Sequence, residues 1–154
     1  MQIVVFESHS RWTARISHWL AARRKALGRL SFRLVRAGDG QEVFQALRKD
    51  QASVVCWVVH GAEAQQIVPA IRYQRREFPR SLPIVVGPAA TTAWQPLLVL
   101  AGAAWVGDGP HAVLLFGKLI TKHASMQPRA APDHWWEEDL PALPWQEVAT
   151  LSDR

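Results

Sequence analysis

Three residues of this chain have the types and the spacing for acid–base or phosphoryl chemistry: Glu7, His60 and Asp108. Each follows a short apolar run, namely Gln2 to Phe6, Val54 to Val59 and Ala104 to Val106. If those runs are parallel strands of one sheet, their carboxyl ends bring two carboxylates and an imidazole to one rim, where open α/β sheets form their ligand crevice. His60 would then act as general base or phosphoacceptor. No nucleophile partner and no glycine-rich phosphate cradle accompanies the three, which favours solvated loop residues. Gly107-Asp108-Gly109-Pro110 reads more simply as a turn.

Other chemistries find less support. The six histidines, at 9, 18, 60, 111, 123 and 134, form no metal-ligand spacing with one another or with Cys56, so no metal and no cofactor is expected. Cys56 is the single cysteine, which fits a reducing compartment, and it lies inside an apolar run as a small buried hydrophobe. Arg23, Arg24, Lys25 and Arg29 form one basic cluster and Arg72, Arg75, Arg76 and Arg80 another. Such clusters suit a phosphate backbone, but they equally suit the solvated outer faces of helices. The 154 residues divide unevenly in charge: residues 1–126 carry a net +9 and residues 127–154 a net −4. That length fits one domain with a tail, expected as a body over 1–126 and an acidic Trp/Pro-rich tail over 127–154. The tail holds Trp135, Trp136 and Trp145 among acids and prolines. Tryptophan dominates binding interfaces, so the tail reads as a partner motif or as an arm that docks on the basic body. No secretory core follows Met1 and no apolar stretch approaches a bilayer span, so the chain is expected in the cytoplasm.

The elements that must position these residues follow from periodicity. Gln2 to Phe6 is a buried strand, and from Arg11 the apolar positions Trp12, Ile16, Trp19, Leu20 and Leu27 make a helical stripe stopped by Gly28. Trp12 and Trp19 belong to the core on that reading. Leu30 to Val35 suits a second strand, Gly38-Asp39-Gly40 a turn, and Gln41 to Lys49 a short helix. Val54 to Val59, apolar throughout, suits the centre of a parallel sheet. The next helix contains Pro69 and is expected to kink there or begin late, ending before Pro79. Pro83 to Val86 is the fourth strand, Thr91 to Ala101 a helix, Ala104 to Val106 the fifth strand, and His111 to His123 the last helix.

The order of these elements and three local strings resemble the receiver domain of bacterial response regulators. The strings are Met1 to Ser8, Ala37-Gly38-Asp39-Gly40-Gln41-Glu42-Val43-Phe44-Gln45-Ala46-Leu47, and Ala101-Gly102-Ala103 followed by Gly109-Pro110. The resemblance covers roughly residues 1–123 and implies a flavodoxin-like, three-layer α/β sandwich around a five-stranded parallel sheet of order 2-1-3-4-5. It also implies a pocket of two acids holding Mg²⁺, an acceptor aspartate, a Ser or Thr, and a Lys. In this chain Glu7 stands for one acid and Ser8 replaces the other. The acceptor position falls at Trp57 or Val58, with His60 the nearest polar residue. The Ser/Thr position falls near Pro88, and the Lys position at Gly109. The resemblance is therefore to a pseudo-receiver, with the scaffold kept and the switch lost.

The function expected is a phosphorylation-independent protein–protein interaction module of bacterial two-component signalling or regulation, not an enzyme. Its partner would be a protein, or a second copy forming a homodimer, on the face made by the fourth helix, fifth strand and fifth helix. Trp94 and Trp105 would anchor that face, Trp105 as an exposed residue, with Trp135, Trp136 and Trp145 in the tail. A nucleic-acid-associated regulator using the basic helices is the first alternative. A small ligand-binding or enzymatic domain at the Glu7–His60–Asp108 rim is the second.

Overall fold

The computed structural model describes residues 1–8, 11–27, 30–60, 63–88, 93–107 and 112–127. Five strands, β1 (Gln2–Phe6), β2 (Arg33–Ala37), β3 (Val54–Val58), β4 (Leu82–Val86) and β5 (Trp105–Gly107), form one sheet of order β2-β1-β3-β4-β5. Every neighbouring pair is parallel. The helices are α1 (Arg11–Ala22), α2 (Arg24–Leu27), α3 (Gly40–Lys49), α4 (Ala64–Glu77), α5 (Gln95–Leu100) and α6 (Ala112–Met126). The expected fold class and strand order are those observed. The single helix expected from Arg11 to Gly28 is instead two pieces, so the fourth and fifth helices of the sequence reading are α5 and α6.

Continuous β-branched runs make the central strands, because a sheet covered on both faces has no polar side to serve. Ile3, Val4, Val5, Val54, Val55 and Cys56 are all fully buried. Alternation then sorts them between two cores. Val4, Val55, Trp57, Val59 and Val85 pack with α3, α4 and α5, while Ile3, Val5, Val54, Cys56, Val58 and Ile84 pack with α1 and α6.

Several boundaries move for physical reasons. Helix α1 stops at Ala22, because Ala21 to Lys25 offers nothing apolar larger than alanine to hold a helix on the core. The edge strand β2 begins at Arg33 rather than Leu30, in register with Gln2, so that Ala37 pairs with Phe6 and the Gly38–Gly40 turn arrives at the rim. That turn closes as a capping box: Asp39 Oδ1 accepts from the Glu42 N–H at 2.8 Å, and Glu42 Oε2 accepts from the Gly38 N–H at 2.6 Å. Helix α4 runs through Pro69, which sits in its second turn and costs one backbone hydrogen bond rather than the helix. Pro96 lies in the first turn of α5, where its missing N–H costs no helix hydrogen bond.

The amino-terminal edge of the sheet is tied to the end of α6 by His123. Its Nε2 lies 3.0 Å from the Ala52 carbonyl, which a ring N–H there donates to. Burial depresses the His123 pKa, the Ala52 carbonyl and Asp50 oppose that, and Arg80 adds to it. The fold therefore favours the neutral ring. The stabilisation is complete above the ordinary value of 6.5 and is lost as pH falls through the depressed folded-state value. Urea unfolding midpoints should accordingly drop between about pH 8 and about pH 5.5. The drop should be shallower in His123→Gln, which keeps a donor for Ala52 and cannot titrate.

Candidate functional site

Glu7 follows β1, with its backbone N–H donating to the Ala37 carbonyl at 3.2 Å, and its side chain is only 2 % exposed. A carboxylate so deep needs donors on both oxygens. Oε2 accepts from the Trp12 N–H at 2.9 Å, and Oε1 accepts from the Thr13 N–H at 2.8 Å and from the Thr13 hydroxyl. These backbone groups belong to the first turn of α1, whose N–H groups have no partner within the helix. The negative charge also lies at the positive end of the helix dipole. Glu7 is thus the cap of α1 reached from the preceding strand. Thr13, which completes the cap, was not singled out in the sequence.

Behind this cap lies Cys56, fully buried on β3. Burial raises its thiol pKa far above the ordinary value and the Glu7 charge raises it further, so the thiol is not a nucleophile.

The end of β3 is apolar and packed. Trp57 is 1 % exposed and stacks obliquely on Phe6, with ring centroids 5.2 Å apart. Its Nε1–H donates to Gln74 Oε1 at 2.8 Å, Gln74 Nε2–H donates to Ser81 Oγ at 2.9 Å, and Ser81 Oγ–H donates to the Phe78 carbonyl at 2.7 Å. This buried polar chain is satisfied at each step and ties β3 to α4 and to the turn before β4. Val58 points to the other core, beside α1 and α6.

Two cavities open at the carboxyl end of the sheet. The larger, about 540 Å³, is lined by Glu7, Ser8, Arg11, Arg15, His60 and Pro88 among others. The smaller, about 330 Å³, is lined by Phe6, Ser8, Trp57, Val58 and His60 with residues of α4. Glu7, Ser8, His60 and Pro88 therefore do share one rim. Ser8 is exposed, and its carbonyl accepts from Arg36 at 2.8 Å. His60 is exposed as well. Arg11, Arg15 and Glu63 also line the rim and were not foreseen as site residues. Arg15 lies over the Trp12 ring at 5.3 Å, a contact that a helical i, i+3 spacing brings about. Gly87 shapes the same rim: its φ is +135°, and a β-carbon there would come within 2.2 Å of the Val59 carbonyl oxygen. Asp108 and Gly109 lie outside the described residues, as do Trp135, Trp136 and Trp145.

A hard cation requires several free oxygen ligands. Both Glu7 oxygens are engaged by α1, and no group of three His, Cys, Asp or Glu among the described residues is placed to hold a metal. The described residues do not fit a Mg²⁺ site.

On the face proposed for a partner, Trp94 is half-buried against the core beneath α5. Trp105 is also half-buried rather than a free exposed anchor, and its ring lies over Gly107, where a β-carbon would meet it at 2.3 Å. Trp12 is core, as expected, whereas Trp19 is half-buried against Gly117 of α6. Its indole N–H finds no acceptor among the described residues. No described helix is long and apolar enough to cross a membrane.

No family model matches the sequence, and no curated protein matches it. Solved structures do match. A response regulator from Thermotoga maritima superposes with a TM-score of 0.62 at 23% identity, over 80% of this chain and 97% of that one. The fold is that of CheY-like receiver domains. A CheY-like protein, tadZ, from Pseudomonas aeruginosa gives 0.59 at 16% identity, over 86% and 98% of the two chains. A putative pilus assembly-related protein from Burkholderia pseudomallei gives 0.60 at 18% identity, over 85% and 94%.

The Glu7 cap makes a direct prediction. Glu7→Gln replaces one acceptor oxygen with a donor that faces the N–H groups of Trp12 or Thr13. Stability in urea should fall by about 2 kcal/mol, the scale of hydrogen bonds to a buried charged group. Ser8→Ala, at an exposed position on the same rim, should leave it unchanged.

Proposed function

We propose that this chain is a receiver-fold interaction module that works without phosphorylation, a binding protein and not an enzyme. The observation that carries the reading is the double engagement of Glu7: the one acid at the end of β1 is committed to capping α1. What stands at the end of β3 supports it, since Trp57 is locked in a buried hydrogen-bond chain and Val58 in the opposite core. Neither residue can accept a phosphoryl group. His60 lies on the rim without a described acidic group arranged to orient it.

A receiver body without a switch keeps its surface in one state. The surface proposed for the partner is that of α5, β5 and α6, with Trp94 and Trp105 beneath it and the tail residues Trp135, Trp136 and Trp145 adding to it. Among the described residues its exposed apolar side chains include Val99 and Leu100 on α5 and Leu115 and Met126 on α6. The body extends to residue 126 and the tail from 127. Direct nucleic-acid binding is less supported. Arg76 pairs with Glu77 at 2.7 Å and Arg80 donates to Gln127, exposed contacts that a stronger anion could replace, and what weighs against a phosphate backbone is the net −4 of residues 127–154.

The test is intact-mass analysis of the full chain after incubation with acetyl phosphate and Mg²⁺, alongside partner capture from nuclease-treated native lysate. No phosphoryl adduct should form. Capture should be indifferent to the phosphodonor and should weaken by about tenfold in Leu115→Asp, as loss of an exposed apolar anchor implies. A Mg²⁺-dependent phosphoryl adduct that changes capture would overturn the reading.

A further inference from the structure

The basic cluster on α4 and the exposed end of α5 form one ledge, and Gln127, where the acidic segment begins, lies beside it. Arg72, Arg75 and Arg76 share a stripe of α4 at i, i+3 and i+4. The Arg75 stem runs against the turn that ends α5, so close that a β-carbon on Gly102 would come within 2.5 Å of Arg75 Cγ. Immediately before that turn stand Val99 and Leu100, 52% and 79% exposed, the latter the most exposed large apolar side chain of the described residues. Arg80 donates to Gln127 Oε1 at 3.2 Å, one residue past α6, so the chain passes this same edge at Gln127.

We infer that the tail docks in cis on this ledge. Tryptophans 135 and 136 would sit against Val99 and Leu100, and the acids Glu137, Glu138 and Asp139 would face Arg72, Arg76 and Arg80. Length permits it: 27 residues follow Gln127, and eight extended residues span about 27 Å, against a radius of gyration of about 14 Å for a body of this size. Charge favours it, since residues 127–154 carry a net −4 and the body a net +9. The fold also pairs arginine with aromatic rings: Arg15 over Trp12, Arg23 over Trp19 and Arg76 over Tyr73, at 5.3, 5.8 and 5.6 Å. A docked tail covers the α5 side of the partner surface. That consequence rests on the proposed function, whereas the docking does not.

The experiment uses the full chain with two added cysteines, Ala104→Cys, an exposed position just past the turn that ends α5, and Leu140→Cys, under mild oxidation at low salt. Cys56 is buried and does not interfere. The control pairs Leu140→Cys with Arg48→Cys, an exposed position on α3 four residues from Ala52, which His123 contacts at the end of α6. The ledge pair should close an intramolecular disulfide about tenfold faster than the control pair, as a raised effective concentration demands. The advantage should vanish in about 0.5 M salt and on Trp135→Ala with Trp136→Ala. Equal rates for the two pairs, an advantage insensitive to the tryptophans, or a covalent dimer as the main product would each overturn the proposal. None of these readouts depends on phosphorylation or on a partner, so failure here leaves the proposed function standing on its own test.

Discussion

A buried carboxylate with no described cation beside it sets the terms for the amino-terminal third of this protein. Glu7 is held by the N–H groups of Trp12 and Thr13, so its charge is tolerable only while α1 begins where it does. That fixes how the chain turns from β1 into α1 and places Trp12 and Ile16 on the sheet. It places Trp19 against Gly117 of α6, where any larger residue would collide with the indole. One helix on this face thus determines where the other packs. The carboxylate cannot leave to bind a ligand without stranding the first turn of α1, and that makes it a structural acid.

The opposite face is held by a second constraint of the same kind. The Trp57 indole fills the space beside Phe6 and Phe44, and its N–H must find an acceptor in the dry interior. Gln74 supplies it, and Gln74 in turn needs Ser81, whose hydroxyl ends on the Phe78 carbonyl. The series links the end of β3 to the turn before β4 through Gln74 in the last turn of α4. A polar network satisfied at every step specifies one packing, and breaking one link orphans its neighbour. The ends of β1 and β3 are therefore both built into the packing of the body.

The fold was legible because its signals are local and redundant: continuous Val/Ile runs, helical stripes, and glycine turns in the right order. Boundaries were legible only where the core decides them. At β2, an edge strand with Arg33 and Arg36 outward, the register with β1 rather than composition set the start, and Leu30 to Phe32 misled. The break after Ala22 could have been read from the gap in the apolar stripe between Leu20 and Leu27. The Asp39-x-x-Glu42 capping box was visible as a spacing and was passed over in favour of the turn beside it. The rim was legible as a set of positions, and Glu7, Ser8, His60 and Pro88 do meet there. What each does was not, because the role of Glu7 depends on Thr13, six residues on, and that of Trp57 on Gln74, across two elements.

On the proposed function, regulation would come from somewhere other than the rim. On that proposal the body would offer a partner the same α5–β5–α6 surface at all times, and affinity alone would decide occupancy. Occupancy can then be modulated only by changing the surface or by covering it. Gln127 lies beside Arg80, and a tail docked from there, as inferred above, would compete at a high local concentration. A partner able to displace it would have to offer more apolar contact on Val99 and Leu100 than two indoles, or more charge than the three acids of residues 137–139. The tail would thereby set a threshold, in place of a phosphoryl group, for which partners are bound.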